Sequence, residues 1–554
     1  MRWTRRLAAR PDATLLSERD LAENGSPENG SPENGSSENG RPSPEAPHAV
    51  VVGAGLGGLA SAIRLGARGF HVTVLERLGQ PGGRARVFEQ DGFTFDAGPT
   101  VVTAPFLFEE LWNLCGKELA DDVELREVSP FYRIRFDDGS SFDYTGDPEA
   151  MRREVARFSP EDVAGYEQFF EKSKEIFEVG FEELGHVPFS RLRDMLKIVP
   201  AMAALGSYRS VYGLVSKYID DPKLRKVFSF HPLLVGGNPF SVTSIYALIA
   251  FLERKWRVWY AMGGTGALVK GMADLVTEEL GGTIRTGAEV EEILLADAPQ
   301  SQAVGNARAT GVRLTGGERV GADLVVSNAD VGFTYKHLLP EAARTRWTDE
   351  RVDGLRQSMS LFVWYFGTDR TYDDVAHHTI LLGPRYEALL NDIFHEKTLA
   401  DDFSLYLHRP TRTDPSMAPG GHDAFYVLSP VPHLESGIDW RTEAEPYRRK
   451  VSRYLSETVL PGLETHLVTS RMLTPQDFRD DYLSLKGAAF GPEPVLTQSA
   501  YFRPHNASED VEHLYFAGAG THPGAGIPGV LSTARVLDTV VPEPATFRTE
   551  KSPS

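Results

Sequence analysis

The stretch that decides the fold is His48-Ala-Val-Val-Val52-Gly53-Ala-Gly55-Leu-Gly57-Gly58-Leu-Ala60. Four apolar, mostly β-branched residues predict a strand. The glycines after it predict a tight turn whose backbone can approach a pyrophosphate, and the helix that follows aims its N-terminus at that anion. A glycine pattern alone is weak evidence, but this one has the context the motif needs. A helical pattern runs from Leu59 to Gly69, and a second strand, His71-Val-Thr-Val-Leu75, ends at Glu76. A carboxylate there can accept hydrogen bonds from both ribose hydroxyls and would repel an added 2′-phosphate. Gly53, Gly55, Gly58 and Glu76 are therefore expected to hold a dinucleotide.

Outward from this motif, composition narrows the function. The chain has 554 residues, 41% hydrophobic and 24% charged, enough for more than one domain with a substantial core. Its net charge of −19 argues against nucleic acid as a partner, since a phosphate backbone needs a basic face. Cys115 is the one cysteine, so an internal disulfide is excluded, no thiolate metal site is expected, and a cytoplasmic, reducing setting is expected. No spacing suggests a metal site. Residues 1–46 carry a repeat, Glu23-Asn-Gly-Ser-Pro through Glu38-Asn-Gly-Arg-Pro, with nothing apolar to bury. They are expected to be disordered, as are 543–554. From Phe228 to Leu252 the chain carries no formal charge apart from a titratable His231, but Pro232 and Gly236-Gly237-Asn238-Pro239 interrupt it. The clean apolar part, Ile245 to Leu252, is too short to cross a bilayer and is expected to be a buried helix lining a cavity.

A second cluster, Arg77-Leu-Gly-Gln-Pro-Gly82-Gly83-Arg84-Ala-Arg86, suits a loop packed over phosphates, with Arg77, Gly83 and Arg84 as candidate ligands. It resembles the second glycine motif of amine-oxidase-like FAD enzymes. Near the other end, His513-Leu-Tyr-Phe-Ala-Gly518-Ala-Gly520-Thr521-His522-Pro523-Gly524-Ala-Gly526-Ile-Pro-Gly529-Val530 reads as a strand, a glycine loop and a helix from about Gly529. In flavoproteins with two dinucleotide folds such an element delivers a helix dipole to the isoalloxazine, so Gly518, Gly520, Thr521, Gly529 and Val530 join the candidates. The stretches Thr286 to Leu294, Ala309 to Leu314 and Ala322 to Asp330 are expected as strands returning to the cofactor sheet, and in related folds the Val290 backbone meets the adenine.

Read together, these residues resemble the bacterial and fungal phytoene desaturase family. Further matching stretches are Phe95-Asp96-Ala-Gly-Pro99-Thr100, Pro130-Phe-Tyr-Arg133, Phe228-Ser-Phe-His231, Leu233-Leu-Val-Gly-Gly-Asn-Pro-Phe240, Gly263 to Val269, Ser327-Asn-Ala-Asp330 and Pro494 to Ala500. One departure is Lys255-Trp256-Arg257-Val-Trp259, because the family tends to have a glycine before Val258. The resemblance implies an α/β flavoprotein: a Rossmann-like FAD-binding domain assembled from 47–145, 256–335 and 485–542, with a discontinuous α+β substrate domain and a helical membrane-facing region from 146–255 and 336–484. It implies FAD as cofactor, 15-cis-phytoene as substrate and lycopene as product, by hydride transfer to flavin N5. Alternatives that remain open are a related FAD oxidoreductase acting on another carotenoid, a retinoid or an amine, and a non-enzymatic isoprenoid-binding protein of this fold.

Charge distribution adds a membrane argument. Between Pro188 and Phe230 there are eight basic residues against three acids, a local +5 interleaved with apolar residues such as Met195, Leu196, Ile198 and Val199. Basic amphipathic helices that lie on a bilayer have this pattern. Asp194, an acid in that segment, and His231, in an apolar run, are the candidate catalytic groups. No second nicotinamide fingerprint is visible, so a membrane quinone or O2 is the expected electron acceptor.

Overall fold

The computed structural model describes Ser43, 45–297 and 307–549. The expected disorder of 1–46 therefore falls almost wholly outside the described residues. A five-stranded parallel sheet runs in the order Leu514–Phe516, Leu324–Ser327, His48–Val52, His71–Leu75, Thr283–Arg285. From His48–Val52 the chain builds outward on one side and later on the other, so the order reverses beside the Gly53 turn. In an open parallel sheet that crevice is where ligands bind.

Alternation along the first strand covers both faces of the sheet. Ala49 and Val51 pack under the helices Leu56–Ala67 and Ile527–Val540, while Val50 and Val52 pack against a small antiparallel sheet. That sheet joins Val290–Asp297, Ala307–Leu314 and Arg319–Gly321, with the short strand Val511–Glu512 added in parallel beside Ala307–Leu314. Two of the three stretches expected to return to the cofactor sheet thus form a sheet of their own. Glu291 and Glu292 give the Val290 strand a wet face, whereas Leu324–Ser327 is buried along its whole length and does return. The parallel sheet takes its edge from Thr283–Arg285 instead.

The second unit is a seven-stranded mixed sheet ordered Leu467–Leu473, Ser360–Thr368, Asp423–Val431, Leu405–His408, His378–Leu382, Tyr132–Phe136, Ser141–Tyr144. Its last two strands lie within 47–145, so that segment, expected wholly in the cofactor unit, contributes to both. Phe362, Trp364 and Phe366 face the helix Trp440–Thr458, while Leu361, Val363 and Tyr365 face the main core.

One further expectation holds and one changes. The stretch Phe228–Leu252 is interrupted at Pro232 and Gly236–Pro239, as expected: short turns at His231–Val235 and Ser244–Ala247 precede the helix Leu248–Trp256. Residues Pro544–Thr549, expected in a disordered tail, form a helix whose Phe547 is buried with its ring 5.7 Å from that of Phe70. No helix among the described residues is long and apolar enough to cross a membrane.

Candidate cofactor and substrate cavity

One cavity, of about 550 Å³, joins the two units. Its polar end is built from the motifs of the sequence: Gly53, Gly55, Glu76, Arg77, Gly83, Arg84, Val290, Gly518, Gly529 and Val530 all line it. Gly58, Gly520 and Thr521 do not. A Cβ on Gly58 would lie 2.0 Å from the Gly53 carbonyl oxygen, so Gly58 permits the turn rather than meeting a ligand. The Gly520 carbonyl accepts from Nε of Arg503 at 3.2 Å, and the Thr521 hydroxyl donates to the Gly518 carbonyl at 3.3 Å. Both residues brace the loop that carries Gly518.

The helix Leu56–Ala67 opens at Gly55 with no capping side chain and no acid in its first turn, which leaves its N–H groups for an anion. Glu76 is buried; one of its oxygens accepts from the Ala54 N–H at 2.7 Å and the other from the Leu78 N–H at 2.8 Å. Arg84 donates one Nη to Ser484 Oγ at 2.6 Å, while its buried Nε has no partner. Burial lowers its pKa despite the nearby Asp330 carboxylate, so the guanidinium stands poorly compensated on the cavity wall. At the far side the helix Ile527–Val540 also starts without a side-chain cap, at Gly526, and points into the cavity two residues before the Gly529 expected.

Asn328 was not singled out as a ligand from the sequence, yet it sits at the centre of this end. Its Nδ2 donates to the Ala517 carbonyl at 2.9 Å. A Cβ on Gly55, Gly57 or Gly518 would come within 2.8 Å of its amide. Three glycines separated in sequence are thus fitted around one side chain.

Away from the glycines the lining turns apolar, with Leu233, Ile249, Leu361, Ile380, Leu390 and Phe490 among its residues. The run from Phe230 to Leu252 lines this part, as expected. Over it lies the helix Leu192–Leu205, which sends Met195, Ile198 and Met202 into the cavity. Asp194 does not line the cavity; its carboxylate accepts from Lys197 Nζ at 3.1 Å beside Arg193. His231 is buried behind the wall, with Nε2 3.3 Å from Oε2 of Glu253, and Glu253 itself reaches the cavity.

A polar seam crosses the apolar wall. The Tyr426 and Tyr406 hydroxyls lie 2.7 Å and 3.2 Å from Thr100 Oγ1, and the Tyr406 hydroxyl lies 2.7 Å from Nδ1 of His378. Behind it His377, His378 and His408 bring ring nitrogens within 4.8 Å of one another, close enough for a cation site, which no spacing in the sequence had suggested. Burial, the largest cause, pushes all three below the usual histidine range. His378 and His408 are direct cross-strand partners, so the cluster exists only once the strand register is set.

The glycine cradle, the two uncapped helix termini and the orphaned Arg84 Nε fit a dinucleotide with a pyrophosphate. The profile of the flavin-containing amine oxidoreductases matches residues 56–536. The neurosporene-forming phytoene desaturase of Rhodobacter capsulatus is 49% identical over 89% of this chain and 94% of its own length. The lycopene-forming phytoene desaturase of Pantoea ananas is 49% identical over 88% and 97%. Among solved structures, a putrescine oxidase superposes with a TM-score of 0.57 at 13% identity, covering 90% of this chain and 99% of that one, which establishes the shared fold. The cofactor is FAD. The chain belongs to the phytoene desaturase family of flavin-containing amine oxidoreductases.

Proposed function

We propose that the protein dehydrogenates 15-cis-phytoene stepwise, through phytofluene, ζ-carotene and neurosporene to lycopene, from a membrane surface and with a quinone or O2 as electron acceptor. The observation that carries this reading is a single cavity whose wall passes from glycine turns and Arg84 to leucine, isoleucine, methionine and aromatic side chains. A hydrocarbon of about forty carbons gains ~0.8 kcal/mol for each methylene kept from water, so it needs such a channel between lipid and cofactor. Relatives of equal identity are named for different products, neurosporene and lycopene. Lycopene is the full course of one repeated step.

Bound FAD supplies the hydride acceptor for each step. The chain's part is to hold the polyene in line between the Leu233 and Ile380 walls and to exclude water from the cationic carbon left behind. The helix Ile527–Val540 turns the positive end of its dipole into the cavity, which favours negative charge gathering there on reduction.

Membrane docking is assigned to the helix Leu192–Leu205. One face gives Met195 and Ile198 to the cavity, while Leu196 is 62% exposed and Val199 47% exposed on the other, near Arg193 and Lys197. Exposed apolar residues ringed by bases match an anionic bilayer surface.

The test is anaerobic mixing of FAD-loaded protein with phytoene-bearing liposomes. The flavin absorbance bleaches and a conjugated polyene spectrum appears; a flavin that stays oxidised rejects the proposal. Leu196→Asp with Val199→Asp should abolish sedimentation with anionic vesicles while leaving the melting temperature in place.

A further inference from the structure

The apolar part of the cavity contains one group whose chemistry the fold does not explain. Glu253, on the helix Leu248–Trp256, has 0% exposure and lines the cavity beside Leu248, Ile249 and Leu252. The other lining carboxylates, Glu76, Glu289, Asp330 and Asp481, sit with the residues of the dinucleotide end. Glu253 Oε1 accepts from the Tyr132 hydroxyl at 2.7 Å. Oε2 has no hydrogen bond and lies 3.3 Å from His231 Nε2, which also has none. The neighbouring cation is not its partner: Arg254 turns the other way, over the Phe170 ring, and donates to the Tyr166 hydroxyl at 3.0 Å.

Leaving a buried polar atom unpaired costs about 1–3 kcal/mol, and more for a charged one. A leucine at 253 would spare Oε2 that cost but leave the buried Tyr132 hydroxyl without its acceptor. Buried acids with specific polar partners in a cleft are characteristic of reacting sites. Tyr132 is fixed as a donor, because its burial, and next the Glu253 charge, push its hydroxyl well above the usual tyrosine range. His231 is held in orientation by its ring, stacked on Phe230 at 4.3 Å and edge-on to Tyr144 at 5.5 Å.

We propose that Glu253 is the proton acceptor of the dehydrogenation, with Tyr132 and His231 as its positioning residues. The inference rests on the desaturase reading. In each step one C–H bond leaves with its electron pair as hydride to oxidised flavin, which is reduced. The adjacent C–H bond gives its electron pair to the new C=C bond, and its proton passes to Oε2 of Glu253 and on to His231 Nε2. Before that transfer the carboxylate faces the allylic cation and stabilises it.

The test uses Glu253→Gln, which keeps the shape and the acceptor for Tyr132 but takes no proton at that position. In FAD-loaded protein with phytoene liposomes under anaerobic conditions, flavin bleaching should slow by at least about a hundredfold. FAD content and the phytoene concentration at half-maximal rate should stay as in the wild type, and Glu253→Asp should recover part of the loss. Bleaching by Glu253→Gln within threefold of wild type overturns the inference. Failure of the wild type to bleach with phytoene overturns the desaturase reading itself. If Glu253→Gln does not fold, Tyr132→Phe decides: a slower bleaching rate at unchanged half-saturation supports the assignment, and an unchanged rate overturns it.

Discussion

The backbone N–H of Ala54 donates to Oε2 of Glu76 across 2.7 Å, tying the glycine turn after the first strand to the end of the second. The same carboxylate holds the Leu78 N–H with its other oxygen, so it fixes both loops that frame the polar end of the cavity. Each oxygen keeps a further lone pair for a ribose hydroxyl. Hydrogen bonds to charged groups contribute about 1.5–3 kcal/mol. Glu76→Gln should therefore weaken FAD binding by roughly ten- to a hundredfold. Titration of apoprotein with FAD, followed by flavin fluorescence, reads this directly; unchanged affinity would remove Glu76 from the ribose site.

Arg84 separates the cofactor's needs from the fold's. Its Nε is buried without a partner, and burial lowers its pKa, so without an anion the charged group is poorly compensated where it stands. Arg84→Met should lower FAD affinity at least about tenfold while leaving the melting temperature of the apoprotein unchanged or higher. A large loss of apoprotein stability would show that the guanidinium serves the loop at Ser484 rather than the phosphates.

The polar end of the cavity was legible in the sequence because its constraints are local. Gly53 and Gly58 are demanded by one turn, and Glu76 lies at the end of one strand. Asn328 was harder to find, since it acts by filling the space between Gly55, Gly57 and Gly518, which only the folded sheet brings together. Glu253 follows the apolar run Leu248–Leu252 within its helix and shows its meaning only when Tyr132, far away in sequence, reaches it. The histidine cluster depends on cross-strand register, and neither His377-His378 nor His408 carries a local pattern. The strands Val290–Asp297 and Ala307–Leu314 were recognised as strands, but their half-wet faces placed them in a separate sheet. Asp194 and His231 were chosen from the polarity of their neighbours. That criterion does not tell which way a side chain turns, and the Asp194 carboxylate turns to Lys197.

Arg257 occupies the position before Val258, where the family tends to have glycine, and the backbone shows why glycine suits it. Its φ of 67° with ψ of −179° belongs to a region that only glycine enters freely. Such a residue costs about 1–3 kcal/mol, part of which glycine gives back through its greater freedom in the unfolded chain. Its side chain packs against Gly146 near Asp147 and reaches Glu127 at 4.0 Å. Arg257→Gly should raise unfolding stability by about 1 kcal/mol, measured by urea denaturation of the FAD-loaded protein. A destabilised variant would mean that the arginine's packing outweighs the backbone strain.

The three buried histidines set how the protein responds to acid. His377 and His378 are held well below the usual histidine range by burial, with the neighbouring imidazoles adding to it. His408 is lowered less simply, because Asp96 Oδ2, 3.7 Å from its Nε2, pulls its pKa back up. Arg409 also faces His377 and opposes its protonation, while Tyr260 and Tyr406 pack against the cluster as neutral hydroxyls. In the unfolded chain each histidine titrates near its ordinary value of about 6.5. Above that pH neither state carries the proton and the full stability is present. As pH falls below it, the unfolded chain gains protons that the folded cluster refuses, and stability drops by up to about 1.4 kcal/mol per pH unit for each histidine involved. His433 and His522, both lowered to about 4 chiefly by burial, add to the same slope. Urea denaturation at pH 7.5 and pH 5.5 should therefore show a steep loss in the wild type and a loss smaller by about 1 kcal/mol in His377→Asn. Parallel losses in the two proteins would mean that His377 already takes up its proton in the folded state.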